Sequence, residues 1–319
     1  MSQVPPINDP PIQSKDTHDA LTLKPVPQEA ATHGESLGET RNVGVEPLQL
    51  QSYSARLRST LTEGQRNVLH IGCGTTGWIK AVAQDFPGCQ ALALDFIRHS
   101  DLTSCPVNLK FEDDDPNQGL EHLYDRFDVV SIRLTRLRVR DYPRLVEHSS
   151  RVLRQGGALE IWESDLHAYD QDHRIIPANT VDPLGTHPWW ATLLAYIRGA
   201  VDATNGNLKT VSSMEDCVKV HPELGNFLHG QQWVPIVLGD HQEVSADIDT
   251  CPLMNEHLLA AIDFAKPLLL NNGVSARFYE FLVGNALQEL RRPDRLQYAR
   301  LSSICASKYP GTAPPVSSS

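Results

Sequence analysis

The sequence has little of several features that would assign it to a specialised class of protein. Its six cysteines form no Cys-x-x-Cys pair and no Cys/His run with zinc spacing, which favours free thiols in a reducing compartment. No stretch approaches the ~18 apolar residues of a membrane span, and residues 1–15 lack the apolar core of a signal peptide. We therefore expect a soluble cytoplasmic protein, with the nucleus as a second compartment open to it, no membrane partner and no bound metal.

Positive charge is also scarce. The 319 residues include 28 Lys and Arg against 39 Asp and Glu, a formal net charge of −11. A surplus of negative charge repels phosphate backbones, so nucleic acid is not expected as a partner. Hydrophobic residues nevertheless make up 40% of the chain, which is enough for a core and excludes a chain disordered throughout.

The two ends of the sequence differ from its middle in composition. Residues 1–45 carry six prolines among polar and charged residues, and such a segment buries too little apolar surface to offset the entropy lost on ordering. The sequence predicts a disordered N-terminal tail over 1–45, with an extended arm packed on the domain as the alternative. One domain is predicted over 46–310, followed by a flexible tail over 311–319.

Short apolar runs alternate with helical spacing in the first half of this domain. The alternation predicts two helices, the second ended by Gly156 and Gly157, and strands between them, which favours parallel pairing with right-handed crossovers. The predicted strands are 67–71, 90–95, 107–111, 127–133 and 158–162, and the predicted helices are 78–86 and 142–153.

The second half is less regular but completes the sheet. A strand is predicted over 233–238, where Pro235 confines it to an edge of the sheet, and a last strand over 298–306. Helices are predicted over 189–201 and 276–290, the latter with core positions Phe278, Phe281, Leu282 and Leu287. The sequence thus predicts a doubly wound α/β fold with a mostly parallel seven-stranded sheet.

A glycine turn follows the first predicted strand and opens the first helix. Gly72, Gly74 and Gly77 match G-x-G-x-x-G in the context that a nucleotide-binding turn requires. Glycines let a ligand approach the backbone, and the helix N-terminus offers free N–H groups. Asp95 ends the next strand, where a carboxylate can accept hydrogen bonds from ribose hydroxyls. The pattern indicates a nucleoside cofactor and leaves open which one.

The residues around the turn carry a resemblance to a known family. Leu69-His-Ile-Gly-Cys-Gly-Thr-Thr-Gly-Trp78 resembles the first motif of class I S-adenosylmethionine-dependent methyltransferases, usually L-D-I-G-C-G-T-G-G-W. Residues 111–115, 127–130 and 151–157 are similar to the later motifs of that family, in the same order. Within the family the chain is similar to the fungal LaeA-like group, on Asp114, Asp115, Arg133 and the late run Pro267-Leu268-Leu269 with Gly273.

The resemblance implies a Rossmann-like methyltransferase fold with S-adenosyl-L-methionine as the cofactor, held by residues 65–165, and a substrate half over 166–310. It implies that Gly72, Cys73 and Gly74 pass beneath the methionine part, that Asp95 holds the ribose and that Asp114 bonds the adenine amino group. Arg133 is implied either to meet the methionine carboxylate or to pair with a neighbouring acid. The full set of implied cofactor-binding residues is His70, Gly72, Cys73, Gly74, Asp95, Phe96, Asp114, Asp115 and Arg133.

The sequence departs from the family pattern at two positions. His70 stands where an acid is usual, and Thr76 stands where glycine is common. A histidine is largely neutral at pH 7, and the threonine adds a Cβ near the ligand. We expect a site that binds the cofactor more weakly than the family's usual sequence does.

Methyl transfer depends largely on alignment and needs a general base only when the acceptor loses a proton. His167 and His187 are candidate bases after the fifth strand, although packing roles are the alternative. The candidate residues of the acceptor pocket are Trp162, Glu163, His167, Tyr169, His187, Trp189 and Trp190. The N/D-P-P-Y/F motif of base methylation is absent, since 131–134 read Ser-Ile-Arg-Leu.

Three functions remain open from the sequence. The first is a methyltransferase acting on a small molecule, in secondary metabolism. The second is a regulatory protein of methyltransferase fold that acts through protein partners with weak or no catalysis. The third, an NAD-dependent oxidoreductase, is disfavoured because a Y-x-x-x-K signature is missing after the fourth and fifth strands.

Overall fold

A computed structural model describes residues 54–72, 76–95, 105–182, 188–205, 211–236, 238, 252–292 and 296–309. The tails predicted over 1–45 and 311–319 lie outside the described residues and stay predictions. The strands are β1 (Asn67–Ile71), β2 (Gln90–Asp95), β3 (Leu109–Asp113), β4 (Phe127–Arg133), β5 (Leu153–Ser164), β6 (Leu224–Ile236) and β7 (Gln297–Lys308). The helices are α1 (Ala55–Thr62), α2 (Gly77–Asp85), α3 (Tyr142–Val152), α4 (Trp189–Asn205), α5 (Val211–Lys219), α6 (Pro252–Asn271) and α7 (Ala276–Leu290).

The seven strands form one sheet in the order β3-β2-β1-β4-β5-β7-β6. The strands from β1 to β5 pair in parallel. β7 runs antiparallel between β5 and β6, so the sheet is mixed at one side. The predicted seven-stranded, doubly wound α/β fold is confirmed, with β6 on the edge as Pro235 indicated.

Helices cover both faces of the sheet and one of its ends. α1 and α2 pack on one face around Val68 and Val129, and α3 and α5 pack on the other around Leu69 and Ile132. A third core joins α4, α6 and α7 with the ends of β6 and β7. None of the helices in the described ranges is long and apolar enough to cross a membrane.

Several predicted details were wrong. α3 ends at Val152, and the glycines at 156 and 157 lie inside β5, because the fully buried Leu153 already takes extended backbone angles and pairs with Phe127. Val107 is fully exposed, so β3 begins later than predicted, at Leu109. Phe281 is 40% exposed and contacts the Trp189 ring instead of joining the core, whereas Leu282 is fully buried.

The sharp bend after β1 depends on one glycine. Gly72 has φ +80°, and its N–H donates to the Leu94 carbonyl at 3.1 Å, which ties the bend to β2. A Cβ at this position would collide with Thr135 Cγ2 and lie 2.7 Å from the Arg133 carbonyl oxygen. The loop can therefore pass close to the end of β4 only without a side chain here.

We predict that Gly72→Ala destabilises the protein by roughly 2–5 kcal/mol, because left-handed strain costs ~1–2 kcal/mol and overpacking ~1–3 kcal/mol. Gly273→Ala is the matched control, since Gly273 has φ +90° but open space around its Cβ position. It should lose only the strain, about 1–2 kcal/mol. Urea unfolding of both variants measures the difference, and equal losses would contradict the close approach.

Candidate functional site

The carboxyl ends of the parallel strands meet at one edge of the sheet, where ligands of open α/β folds bind. Gly72 follows β1, Asp95 ends β2, residues 134–138 follow β4, and Glu163 lies near the end of β5. The chain therefore gathers its predicted turn, its acid and two further polar segments at a single place.

A crevice with about 1100 Å³ of empty space, its open mouth included, lies above this edge. Its floor contains Gly72, the segment 134–138 and the segment 163–167. α4 and α6 form its walls with apolar side chains, and the ends of β6 and β7 close it on one side. The lining residues from these elements include Trp190, Leu194, Ile197, Ile236, Leu258, Ile262, Phe264 and Leu301. The crevice thus joins a floor that contains polar side chains to apolar walls.

Asp95 is only 3% exposed, and its carboxylate accepts a hydrogen bond from Arg138 Nη1 at 2.6 Å. The Arg138 guanidinium lies 4.3 Å from the centre of the Phe264 ring of α6, which covers the pair. An ionised carboxylate has about four lone-pair sites, so Asp95 fits a ribose diol chemically. Arg138 competes for the same carboxylate.

Three implied cofactor-binding residues and one candidate base have no described position. Cys73, Gly74, Phe96 and His187 lie outside the described residues, and their roles stay predictions. Of the implied turn, Gly72 lines the crevice. Thr76 is buried with φ 64° at the start of α2, in the left-handed region that glycine would occupy without strain.

The two acids after β3 have different surroundings. Asp115 Oδ1 accepts hydrogen bonds from the backbone N–H of Asn117 at 3.0 Å and from its Nδ2 at 2.8 Å, so this carboxylate holds a turn. Asp114 Oδ1 accepts from the Asp115 N–H, and its Oδ2 lies 3.5 Å from His122 Nε2 at the partly exposed surface. The predicted adenine contact of Asp114 remains a prediction.

Arg133 and His70 are buried against α2 rather than at the crevice. Arg133 Nη2 donates to Glu160 at 2.8 Å, and its guanidinium lies 4.4 Å from the Trp78 ring centre, which is the pairing alternative left open by the sequence. The His70 ring lies 4.6 Å from the Trp78 ring, and its Nδ1 lies 3.2 Å from the Ser131 carbonyl oxygen. A cofactor role for either residue is untested by these contacts.

Glu163 fixes the segment after β4. Its Oε1 accepts hydrogen bonds from the backbone N–H of Thr135 at 2.8 Å, from Thr135 Oγ1 at 2.7 Å and from the Tyr142 hydroxyl at 2.7 Å. Its Oε2 accepts from the Arg136 N–H at 3.4 Å. Burial raises the pKa of Glu163, although these hydrogen bonds oppose the shift. Burial, the charge of Glu163 and the hydrogen bond to it raise the pKa of Tyr142 well above its usual value.

His167 lines the crevice beside β5. Its Nδ1 lies 3.1 Å from the Asp165 carbonyl oxygen, which can only accept, so Nδ1 carries the proton and Nε2 keeps a free lone pair. Asp165 itself is bound by Arg300 at 2.6 Å and by the Tyr169 hydroxyl. Burial, followed by the charge of Arg198, lowers the pKa of His167. The ring is therefore favoured in its neutral form, as a base requires.

Only part of the predicted acceptor pocket meets at the crevice. Glu163, His167 and Trp190 line it, whereas Trp162, Tyr169 and Trp189 do not. Sequence reasoning missed Arg136 and Arg138, although the basic repeat Arg133, Arg136, Arg138, Arg140 after a strong strand was visible. In the part of the chain that the structure covers, no group of three or more metal-ligating side chains is present.

Comparison with known proteins identifies the class. Residues 47–219, more than half of the chain, match the family described as a methyltransferase domain, and this chain belongs to that family. It is similar to the secondary metabolism regulator laeA of Coprinopsis cinerea, with 34% identity over 248 residues that cover 76% of this chain. The chain spans 60% of the length of that relative. Membership of this family indicates S-adenosylmethionine, rather than NAD, as the nucleoside cofactor.

The solved structures to which the chain is similar are more distant in sequence. The YcgJ protein of Bacillus subtilis has a TM-score of 0.42 at 14% identity, covering 80% of this chain and 100% of that chain. Phosphoethanolamine N-methyltransferase 2 of Haemonchus contortus, in complex with phosphomonomethylethanolamine and S-adenosylhomocysteine, has a TM-score of 0.37 at 14% identity, covering 80% of this chain and 53% of that chain.

The buried carboxyl of Glu163 gives a prediction about pH. Because its folded pKa is raised, the native state holds the proton longer than the unfolded chain, and stability falls as pH rises above about 4.5. Glu163→Gln removes this loss, with a slope of at most ~1.4 kcal/mol per pH unit. Urea unfolding between pH 4.5 and 7 should show the variant gaining on the wild type as pH rises.

The exposed Glu63, next to the end of α1, provides the control. Glu63→Gln leaves the buried carboxyl of Glu163 in place, so its stability should follow the same pH dependence as that of the wild type. A Glu163→Gln curve that also runs parallel to the wild type would contradict the assigned burial effect.

Proposed function

We propose that this protein is an S-adenosylmethionine-dependent methyltransferase that acts on a small organic molecule held in the crevice. One observation carries the proposal: the floor residues Gly72 and Arg138, with Asp95 behind them, share one crevice with the apolar walls of α4 and α6. The domain that carries it is the one predicted over 46–310, with a cofactor half over 65–165 and a substrate half over 166–310.

The chain's own residues divide the work. When bound, S-adenosylmethionine supplies an electrophilic methyl group. Asp95 would accept hydrogen bonds from the ribose hydroxyls. These bonds would either replace the hydrogen bond from Arg138 or share the carboxylate with it. The Gly72 bend leaves main chain open to the cofactor. The walls of α4 and α6 exclude water and hold the acceptor in line, and such alignment is a large part of the rate of an in-line displacement.

His167 is the candidate general base for an acceptor that loses a proton. Its free Nε2, its lowered pKa and its place in the crevice are what such a base needs. Asp165, clamped by Arg300, holds the imidazole through its backbone oxygen and fixes which nitrogen is free. The chain therefore presents a preorganised base next to the space for the acceptor.

We predict that His167→Gln lowers kcat by about 10²–10⁴-fold for a protic acceptor. In the wild type the acidic limb of kcat/KM should lie below pH 6.5, because the pKa of His167 is lowered, and the limb should vanish in the variant. Histidine ¹³C NMR titration reads the same midpoint without any acceptor. His229→Gln is the control, because His229 is a half-exposed residue of β6. This variant should retain both kcat and the acidic limb of kcat/KM.

The affinity for the cofactor tests the ribose contact. Asp95→Asn should weaken S-adenosylmethionine binding by roughly 10–100-fold, because a hydrogen bond to a charged group contributes about 1.5–3 kcal/mol. Asp128→Asn is matched to it, since Asp128 is also buried and pairs with Arg66 and Arg154 at the opposite end of β4. Calorimetry should show unchanged affinity in that control. Unchanged affinity in Asp95→Asn would overturn the ribose assignment.

A regulatory protein with weak or no catalysis is the second candidate. The name of the relative from Coprinopsis cinerea favours it, and so does the engagement of Asp95 by Arg138. Loss of S-adenosylmethionine on incubation with a metabolite panel supports the enzyme. Stoichiometric capture of a protein partner, together with cofactor binding but no turnover, supports the regulator.

A further inference from the structure

The crevice holds a buried cation that forms no ion pair within 4.0 Å among the described residues. Arg136, three residues beyond β4, is only 8% exposed. Its side chain has a single hydrogen bond there, from Nη1 to the Ser164 carbonyl oxygen at 3.3 Å, and its buried Nε has no acceptor. A guanidinium has five N–H donors, and burying it without a partner carries a large free-energy penalty.

The nearest acid does not supply the missing partner. Glu163 accepts only the backbone N–H of Arg136, and Thr135 and Tyr142 use its other oxygen. The described residues form no ion pair with the Arg136 guanidinium within 4.0 Å. The charge of Arg136 lowers the pKa of Glu163, so the two groups attract each other, but from beyond ion-pair distance.

A second unsatisfied donor lines the same crevice. Trp190 of α4 is 3% exposed, and its indole N–H has no acceptor among the residues that the structure describes. Two side chains that line the crevice, one of them cationic, thus each keep a buried donor without an acceptor in the described residues, beneath apolar walls of leucine and isoleucine. Apolar walls favour an organic body, and the donors favour an anionic oxygen group on it.

We propose that Arg136 binds a carboxylate in the crevice and that the methyl acceptor is an apolar or aromatic carboxylic acid. The planar guanidinium matches a carboxylate in two parallel hydrogen bonds, which is the strongest pairing open to a buried arginine. Its bond to Ser164 places the guanidinium at the end of β5, on the side of His167, which favours the acceptor as the source of the carboxylate. The assignment of the carboxylate to a methyl acceptor rests on the proposed function. The carboxylate site itself rests on the contacts of Arg136.

The same carboxylate chemistry is present in the methionine part of the cofactor, so the experiment has two arms. The first measures binding of decanoate and decanamide, and of 3-phenylpropionate and its amide, to the full chain with S-adenosylhomocysteine present and absent. The second measures binding of S-adenosylmethionine and of 5′-methylthioadenosine, which lacks the carboxylate. Both arms use the wild type, Arg136→Gln, Arg136→Lys and the exposed control Arg140→Gln.

If the carboxylate belongs to the acceptor, the wild type prefers each acid over its amide by tenfold or more. Arg136→Gln then removes this preference, Arg136→Lys keeps part of it, and Arg140→Gln keeps all of it. If it belongs to the cofactor, Arg136→Gln instead weakens S-adenosylmethionine at least tenfold and leaves 5′-methylthioadenosine unchanged, which overturns the acceptor assignment and keeps the site.

The site itself is overturned if the wild type shows no preference for either acid and Arg136→Gln binds S-adenosylmethionine as well as the wild type does. The preference of the wild type needs no variant, so a variant that fails to fold leaves the inference testable. Failure of the proposed function is a separate result: the wild type then binds no S-adenosylmethionine, while the acid and amide arm still reports on Arg136.

Discussion

The crevice depends on the hydrogen bonds that converge on Glu163. One carboxylate oxygen near the end of β5 holds the backbone and hydroxyl of Thr135 and the hydroxyl of Tyr142, and so joins the end of β4 to α3. Thr135 in turn faces the bend at Gly72, where a methyl group would already collide with it. The ends of three neighbouring strands are thereby held at fixed distances, and the residues that follow β4 present Arg136 and Arg138 to the same space.

These two arginines have opposite situations, and the difference organises the site. Arg138 is fully engaged, with Asp95 on one side and the ring of Phe264 on the other. Arg136 lies two positions earlier on the same segment, and the one hydrogen bond of its side chain within the described residues goes to the Ser164 carbonyl oxygen. A cofactor that takes the carboxylate of Asp95 would release Arg138 from its acid, so a ligand that enters the crevice couples Asp95, Arg138 and Arg136.

The sequence was sufficient for the elements whose signals are local. The strand before the glycine turn, the helix after it and Asp95 at the end of β2 follow from short apolar runs, and Pro235 correctly indicated an edge. Gly156 and Gly157 gave a wrong prediction of a helix end, since both lie in β5. Glycine occurs after helices and also in strands whose backbone packs closely on a neighbour, and the local pattern does not separate these two cases. The partners of Arg133, Arg138 and Glu163 lie 27, 43 and 28 residues away along the chain. Such pairings depend on which strands lie side by side in the sheet, and the hydrophobic periodicity of the sequence does not predict that order.

The position of β7 has a consequence for how the protein is made. The last of the described strands along the chain, β7, lies inside the sheet between β5 and β6, and it is the one described strand that pairs with β6. A nascent chain emerging from the ribosome therefore carries β6 with both of its edges open until residue 308 has been released. Exposed strand edges template aggregation, so β6 is protected from such pairing only after β7 has joined the sheet.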